Sequence, residues 1–251
     1  MIRTEHLTKK YGGLIAVNDL NLDIPQGQCF AFLGPNGAGK TTTIKLLAGL
    51  LKPTSGRALV GGYDIQKDPV AARKLIGFVP DMPFLYDKLD SMEFMLFIGQ
   101  LYGMNRAELI HATNELFDLF DLNETRNQLI ENLSHGTRQR LVIASALLHE
   151  PKVIIIDEPM VGLDPRSARV VKNVLKRRSR GGVTVFLSTH ILSIAEELAD
   201  QVGILNRGRL VAVGTIDELR AMSGEVGALE DAFLALTREE EEEEEAAAGT
   251  P

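Results

Sequence analysis

Residues 34–41 read Gly-Pro-Asn-Gly-Ala-Gly-Lys-Thr, which satisfies G-x-x-x-x-G-K-[ST] at every specified position. At average composition that string arises by chance in about one chain per hundred of this length, so its flanks decide the matter. Before it runs Cys29-Phe30-Ala31-Phe32-Leu33, apolar and bounded by Gly27 and Gly34, as a buried strand would be. After it, Ile44, Leu47, Ala48 and Leu51 recur at helical spacing, which starts a helix near Lys40. Glycines let the backbone curl until its N–H groups face phosphates, and the helix N-terminus adds its positive dipole end. Lys40 is then placed to reach the β and γ phosphates, and the Thr41 hydroxyl to ligate Mg²⁺. A glycine-rich turn before an ordinary helix would not need both flanks. The pattern implies a bound nucleoside triphosphate.

Composition narrows the partners. The 251 residues carry a net charge of −7, and Glu239 through Glu245 alone account for seven negative charges. Without that run the body holds equal numbers of acids and bases, which gives no electrostatic footprint for nucleic acid. The single cysteine, Cys29, cannot form an intramolecular disulfide and reads as a buried core residue of a reducing compartment. No stretch approaches the roughly 18 apolar residues a membrane span needs, and Met1 to His6 does not read as a signal peptide. The expectation is a cytoplasmic protein that reaches any membrane process through a partner. His6, His111, His135 and His149 lack metal-ligand spacing, which argues against a dedicated zinc site.

Along the chain, strand signals dominate residues 1 to about 80. They include Val17, Leu20, Leu22 and Ile24, and Leu59 with Val60. From residue 84 to about 150 the pattern turns helical, with Phe94, Phe97, Ile98 and Leu101, then Leu116, Leu119 and Phe120, at helical spacing. Strands return at Val153–Ile156, Val183–Leu187 and Val202–Leu205, followed by a turn into Leu210–Val213. Alternating apolar strands and helices argue an α/β core with a mostly parallel sheet, interrupted by a helical insertion. Internal repeats are absent. The tail from Thr237 is low in complexity and reads as solvated, with disorder the default.

Val153–Ile156 ends in Asp157-Glu158. In a phosphate-loop enzyme the first acid at such a strand end orders Mg²⁺, and the next is suited to polarise the attacking water. Ser134 is a natural N-cap before Leu141, Ile143, Ala144 and Leu147. Its hydroxyl and the Gly136 N–H are placed to face an anion at that helix start.

The order of these segments, together with Gly162-Leu163-Asp164-Pro165 and Ser188-Thr189-His190, resembles the ATPase subunits of ABC transporters from about residue 2 to 236. Ile76-Gly77-Phe78-Val79-Pro80, Phe84-Leu85-Tyr86 and Leu101-Tyr102-Gly103 are most similar to the exporter branch that moves drugs, lipids, antibiotics or ions. Leu229 to Thr237 is similar to how those subunits end. The resemblance implies a P-loop NTPase (RecA-like) core with an antiparallel β edge and an inserted α-helical subdomain. The core would span 1–83 and 151–215, the helical subdomain 84–150 and a C-terminal helical segment 216–237, ahead of the 238–251 tail.

It further implies two copies stacked head to tail around two ATP molecules. Gly34, Pro35, Asn36, Gly37, Ala38, Gly39, Lys40, Thr41 and Thr42 of one copy, and Ser134 and Gly136 of the other, would grip the same ATP. Tyr11, in a segment similar to the family's adenine site, would stack on adenine. Glu158 would activate water, His190 would contact the γ-phosphate and hold Glu158, and Asp164 would couple across the interface. A separate multi-span permease would receive the motion near Asp81 to Tyr102, where Met82, Phe84, Leu85, Met92, Phe94 and Met95 cluster. Most of these should pack in the core and some should stay exposed.

Two departures stand out. Asp81 occupies a position commonly held by Gln; a carboxylate there can ligate Mg²⁺ but donates no hydrogen bond, and a plain surface acid is the competing reading. His135 and Thr137 lie in a segment more often Leu-Ser-Gly-Gly-Gln, while Ser134 and Gly136 are kept. His135 is then expected close to the triphosphate, and hydrolysis is expected to persist. Soluble ABC ATPases of the iron–sulfur assembly type and nutrient importers are the other readings; a non-enzymatic module fits poorly with both Lys40 and Glu158 present.

Overall fold

The computed structural model describes residues 1–82, 84–222, 230–231 and 233–234. The 238–251 tail, and most of the segment from Leu229 to Thr237, lie outside the described residues. In chain order the first half comprises β1 (Ile2–Tyr11), β2 (Leu14–Ile24), β3 (Cys29–Leu33), α1 (Lys40–Leu47), β4 (Ser55–Val60), β5 (Tyr63–Asp64), α2 (Pro69–Lys74) and β6 (Ile76–Val79). Then follow α3 (Ser91–Leu101), α4 (Arg106–Phe120), α5 (His135–Leu147), β7 (Val153–Asp157), α6 (Pro165–Arg180), β8 (Thr184–Thr189), α7 (Leu192–Leu198), β9 (Gln201–Asn206), β10 (Arg209–Gly214) and α8 (Ile216–Met222).

The central sheet runs β10-β9-β3-β8-β7-β6, parallel from β9 to β6, with β10 antiparallel at its edge. Every residue of β3, β7 and β8 is buried, which is why these strands read as unbroken apolar runs rather than alternating ones. Their side chains still alternate between two cores. Ala31, Leu33, Ile154, Ile156, Val185 and Leu187 face α4, α5 and α6. Phe30, Phe32, Ile155 and Phe186 face α1 and the second sheet, with Phe30 stacked on Phe186 at 5.6 Å. Cys29 is buried in the first core, and burial pushes its thiol up to about 12.

The second sheet, β2-β1-β4-β5, is antiparallel throughout. Along β2 the buried set is Val17, Leu20, Leu22 and Ile24. The step from 17 to 20 breaks the period of two because the β1–β2 register shifts there and Asp19 sits at φ 53.

The helical character expected from residue 84 begins at Ser91. Asp90 caps α3 in a capping box with Glu93, a local signal that fixes the start. Asn105 caps α4 and Ser134 caps α5 by side-chain oxygens that accept from Glu108 N–H and Thr137 N–H, without the reciprocal box. The far end of α5 lies under β6: a Cβ on Gly77 would run into the Ala146 carbonyl oxygen. No helix among the described residues is long and apolar enough to cross a membrane.

Candidate active site

Parallel pairing brings the carboxyl ends of β3, β8, β7 and β6 to one edge, with Leu33 beside Thr189, Asp157 beside Ser188 and Val79 beside Ile156. In open α/β sheets this is the edge where ligands bind. The 34–41 loop leaves β3 there and enters α1. Its Gly39 adopts φ +105, and a Cβ at that position would strike the Ala16 carbonyl oxygen of β2. Asn18 N–H donates to Gly208 O and Gly208 N–H to Ala38 O, both at 2.8 Å, so β2 and the β9–β10 turn brace the loop from behind.

Lys40 points back over this loop. Its Nζ donates to Gly34 O at 2.6 Å and to Pro35 O at 3.0 Å, and the residue is only 7% exposed. Burial lowers its pKa, while Glu158 and then Asp157 act in the opposite direction. An ammonium has three protons, so two carbonyls leave it one more to give. Pro35, Asn36, Gly37 and Thr41 are exposed, Thr42 is half-buried, and Ala38 is buried.

Asp157 is 2% exposed and accepts a hydrogen bond on Oδ1 from the Ser188 hydroxyl. One carboxylate oxygen is thus engaged by the neighbouring strand. Glu158 follows at φ 48, a left-handed conformation unusual for a side chain of this kind. It turns the chain out of the strand while Glu158 N–H donates to Ser188 O at 3.1 Å. The carboxylate then meets His190, with Nδ1 2.8 Å from Oε1. Asp81 is exposed just past β6, next to β7. It does not join the two acids in a metal-holding cluster; among the described residues no three His, Cys, Asp or Glu side chains form one.

Ser134 Oγ accepts from Thr137 N–H at 3.2 Å as the cap of α5. Gly136 abuts Gly162, and the His135 ring lies against Gly162 as well. His135 therefore packs on a loop of its own chain. Asp164, two residues on, caps α6 by accepting from Arg166 N–H at 2.9 Å and Ser167 N–H at 3.0 Å, and from the Ser167 hydroxyl at 2.5 Å. The Ser167 hydroxyl, ahead of its N–H, holds that carboxyl below the usual range. Tyr11, the last residue of β1, is 46% exposed, and Lys9 Nζ lies 5.1 Å from its ring centre. It pairs with Leu14, two residues before the Ala16 that touches Gly39.

Sequence reasoning took Ser188 only as part of Ser188-Thr189-His190, without a role of its own, and did not single out Ala16. Ser188 itself had a faint signal, being the first polar residue after the apolar run Val185–Leu187. Ala16 had none, since its backbone oxygen does the work.

A family model described as ABC transporter matches residues 17–161. The chain is 35% identical over 245 residues to the linearmycin resistance ATP-binding protein LnrL of Bacillus subtilis (strain 168), covering 95% of this chain and 79% of that one. It is 38% identical over 223 residues to the daunorubicin/doxorubicin resistance ATP-binding protein DrrA of Streptomyces peucetius, covering 89% and 68%. Among solved structures, an ATP-binding subunit of an ABC transporter superposes with a TM-score of 0.90 at 32% identity, covering 94% of this chain and 99% of that one. The ATP-binding cassette MJ0796, a dimer in a post-hydrolysis state with ADP and Pi, superposes with a TM-score of 0.78 at 27% identity, covering 86% and 98%.

Proposed function

This chain belongs to the ABC transporter family as an ATP-binding, ATP-hydrolysing subunit, and from that premise we propose how its residues divide the work and what they drive. The carrying observation is the Lys40 loop, the buried Asp157 and the Glu158–His190 pair at the carboxyl ends of adjoining parallel strands. The backbone of residues 34–42 and Lys40 grip the β and γ phosphates, and Tyr11 stacks on the adenine. Glu158 takes the proton from a water whose oxygen bonds to the γ phosphorus, as the bond from that phosphorus to the β-phosphate oxygen breaks, giving ADP and phosphate. His190 holds the Glu158 carboxylate in line. A bound Mg²⁺ supplies neutralising charge to the phosphate oxygens. Asp157 and Thr41 would hold it, and carboxylate and hydroxyl oxygens suit a hard cation; the exposed Asp81 stands outside any cluster with the two acids.

The site is half a site. Ser134 and Gly136 of a second copy complete it, so ATP joins two subunits and hydrolysis releases them. Motion passes to a separate multi-span permease, with the chain peripheral on the cytoplasmic face. The receiving patch follows β6, where Phe84 is 95% exposed and Met82 78% exposed, while Phe94 and Met95 are buried in the core. Relatives named for linearmycin and daunorubicin resistance favour an exporter of such small molecules over a nutrient importer or a soluble iron–sulfur assembly ATPase. The test is affinity capture of the Glu158→Gln protein from native membranes with MgATP. Recovery of a multi-span membrane protein is the expected result; soluble partners alone would overturn the transporter reading.

A further inference from the structure

The start of α5 contains a chain of hydrogen bonds that ends on Ser134. Arg140 Nη1 donates to the Phe120 and Asp121 carbonyls, at 2.8 and 3.2 Å, where α4 ends. Its Nη2 donates to Thr137 Oγ1 at 3.3 Å. Thr137 Oγ1 in turn lies 2.8 Å from Ser134 Oγ, and Thr137 N–H also donates to Ser134 Oγ. Thr137 is buried and Ser134 is exposed.

The oxygen positions alone allow either donor in the Thr137–Ser134 hydrogen bond, and the Arg140 charge biases it toward Thr137. A guanidinium only donates, so a lone pair of Thr137 Oγ1 faces Arg140. The hydroxyl proton is driven to the side away from the positive charge, where Ser134 Oγ waits. Ser134 Oγ then accepts twice, from the N–H and the O–H of Thr137, and both its lone pairs are occupied. Its own proton has no acceptor within this set and points outward. Were the direction reversed, the Ser134 proton would be engaged by Thr137, and its one remaining lone pair would face the phosphate and repel it. Successive bonds of one polarity strengthen each other, and the first donor here carries a full charge.

We infer that Thr137, polarised by Arg140, is a positioning residue that keeps the Ser134 hydroxyl proton aimed at the γ-phosphate of ATP held by a second copy of the chain. The inference rests on the proposed role of Ser134. The Thr137 hydroxyl thereby gives this chain its own way of setting the donor, in a position where the resembled segment commonly has Gln.

Thr137→Val removes the hydroxyl and keeps the shape. In the full-length Glu158→Gln background, the ATP concentration that half-saturates dimer formation should rise about tenfold on Thr137→Val, the size expected when one charge-assisted hydrogen bond is misdirected. Thr137→Ser should stay within about twofold. ATP binding to the monomer should not change in either, since that contact is made only across the dimer. Should Thr137→Val melt well below the parent, Thr137→Ala carries the comparison, with thermal unfolding measured in parallel. Ser134→Ala separates the two levels. If it abolishes ATP-driven dimerisation while Thr137→Val dimerises like the parent, the positioning role is overturned and the role of Ser134 stands. If Ser134→Ala also dimerises normally, the reading beneath both is wrong.

Discussion

Glu158 and His190 each stand one residue beyond the end of adjacent parallel strands, and their side chains meet, with His190 Nδ1 2.8 Å from Glu158 Oε1. The contact joins residues 32 positions apart through nothing more than strand register. In the proposed mechanism an N–H from His190 fixes which carboxylate oxygen is left for water. Glu158→Gln should lower steady-state phosphate release by 10²–10⁴-fold, the usual range for a general base, with ATP affinity changed little. His190→Ala should cost about 10²-fold through lost alignment. The double variant should be no slower than Glu158→Gln alone, because a positioner has nothing left to position. Additive losses would separate the two residues.

Lys40 has a different dependence. It is buried over its own loop with two carbonyl partners, and burial is the main influence on its pKa. Lys40→Met removes the charge and the donors while keeping the length. Equilibrium binding of a fluorescent ATP analogue should weaken by about 10²-fold or more, in line with losing a charged hydrogen-bonding partner of a phosphate. Nucleotide-free thermal stability should hardly fall, because a buried ammonium that loses solvation is replaced by an apolar side chain. A large drop in melting temperature would make Lys40 a structural clamp first.

How much of this was legible beforehand depends on range. Cys29–Leu33, the helix start at Lys40 and the cap at Ser134 were readable because the cause is local: an apolar run between glycines, a helical period, a hydroxyl before it. The short β5 and α2 were not, since two and six residues carry too little pattern. Nor was the Ser188–Asp157 hydrogen bond, which register alone creates. His135 shows the limit most plainly. Its place in the 133–137 segment suggests proximity to triphosphate, and the fold adds that its ring rests on Gly162 of the same chain, a contact 27 residues away that no local rule encodes.

His149 gives a pH dependence with a defined sign. It stacks on Tyr102 with ring centres 3.6 Å apart, lies 3.2 Å from the Ile76 carbonyl oxygen through Nε2, and has Nδ1 buried without a partner. Burial lowers its pKa from 6.5 to about 4. The unfolded chain takes up a proton near 6.5 and the folded one resists until about 4. Stability should therefore be unaffected by this group above 6.5, fall as pH drops through that window, and level off below it. The slope cannot exceed one proton, about 1.4 kcal/mol per pH unit, and partial exposure reduces it. Urea unfolding of the parent and of His149→Phe, which keeps a ring on Tyr102, checks this. The variant should lose part of the acid sensitivity between pH 6.5 and 4; identical profiles would place the sensitivity elsewhere.

Gly162 and His135 should prove energetically coupled. Gly162 sits at φ +76, and a Cβ there would run into the His135 imidazole. Gly162→Ala therefore carries two penalties, a backbone one of about 1 kcal/mol from the left-handed conformation and a steric one from the ring. His135→Ala removes the second and leaves the first. In a double-mutant cycle by urea unfolding, the pair should be more stable than the sum of the single changes by about 0.5–3 kcal/mol, the range for residues in direct contact. The same cycle read in phosphate release shows what the contact does. Recovery of activity in the double variant over Gly162→Ala would mean that the 162–164 loop must keep its shape for turnover while the imidazole itself is dispensable. Additive behaviour in both readouts would mean that the ring yields freely and that the backbone conformation of Gly162 alone governs the loop.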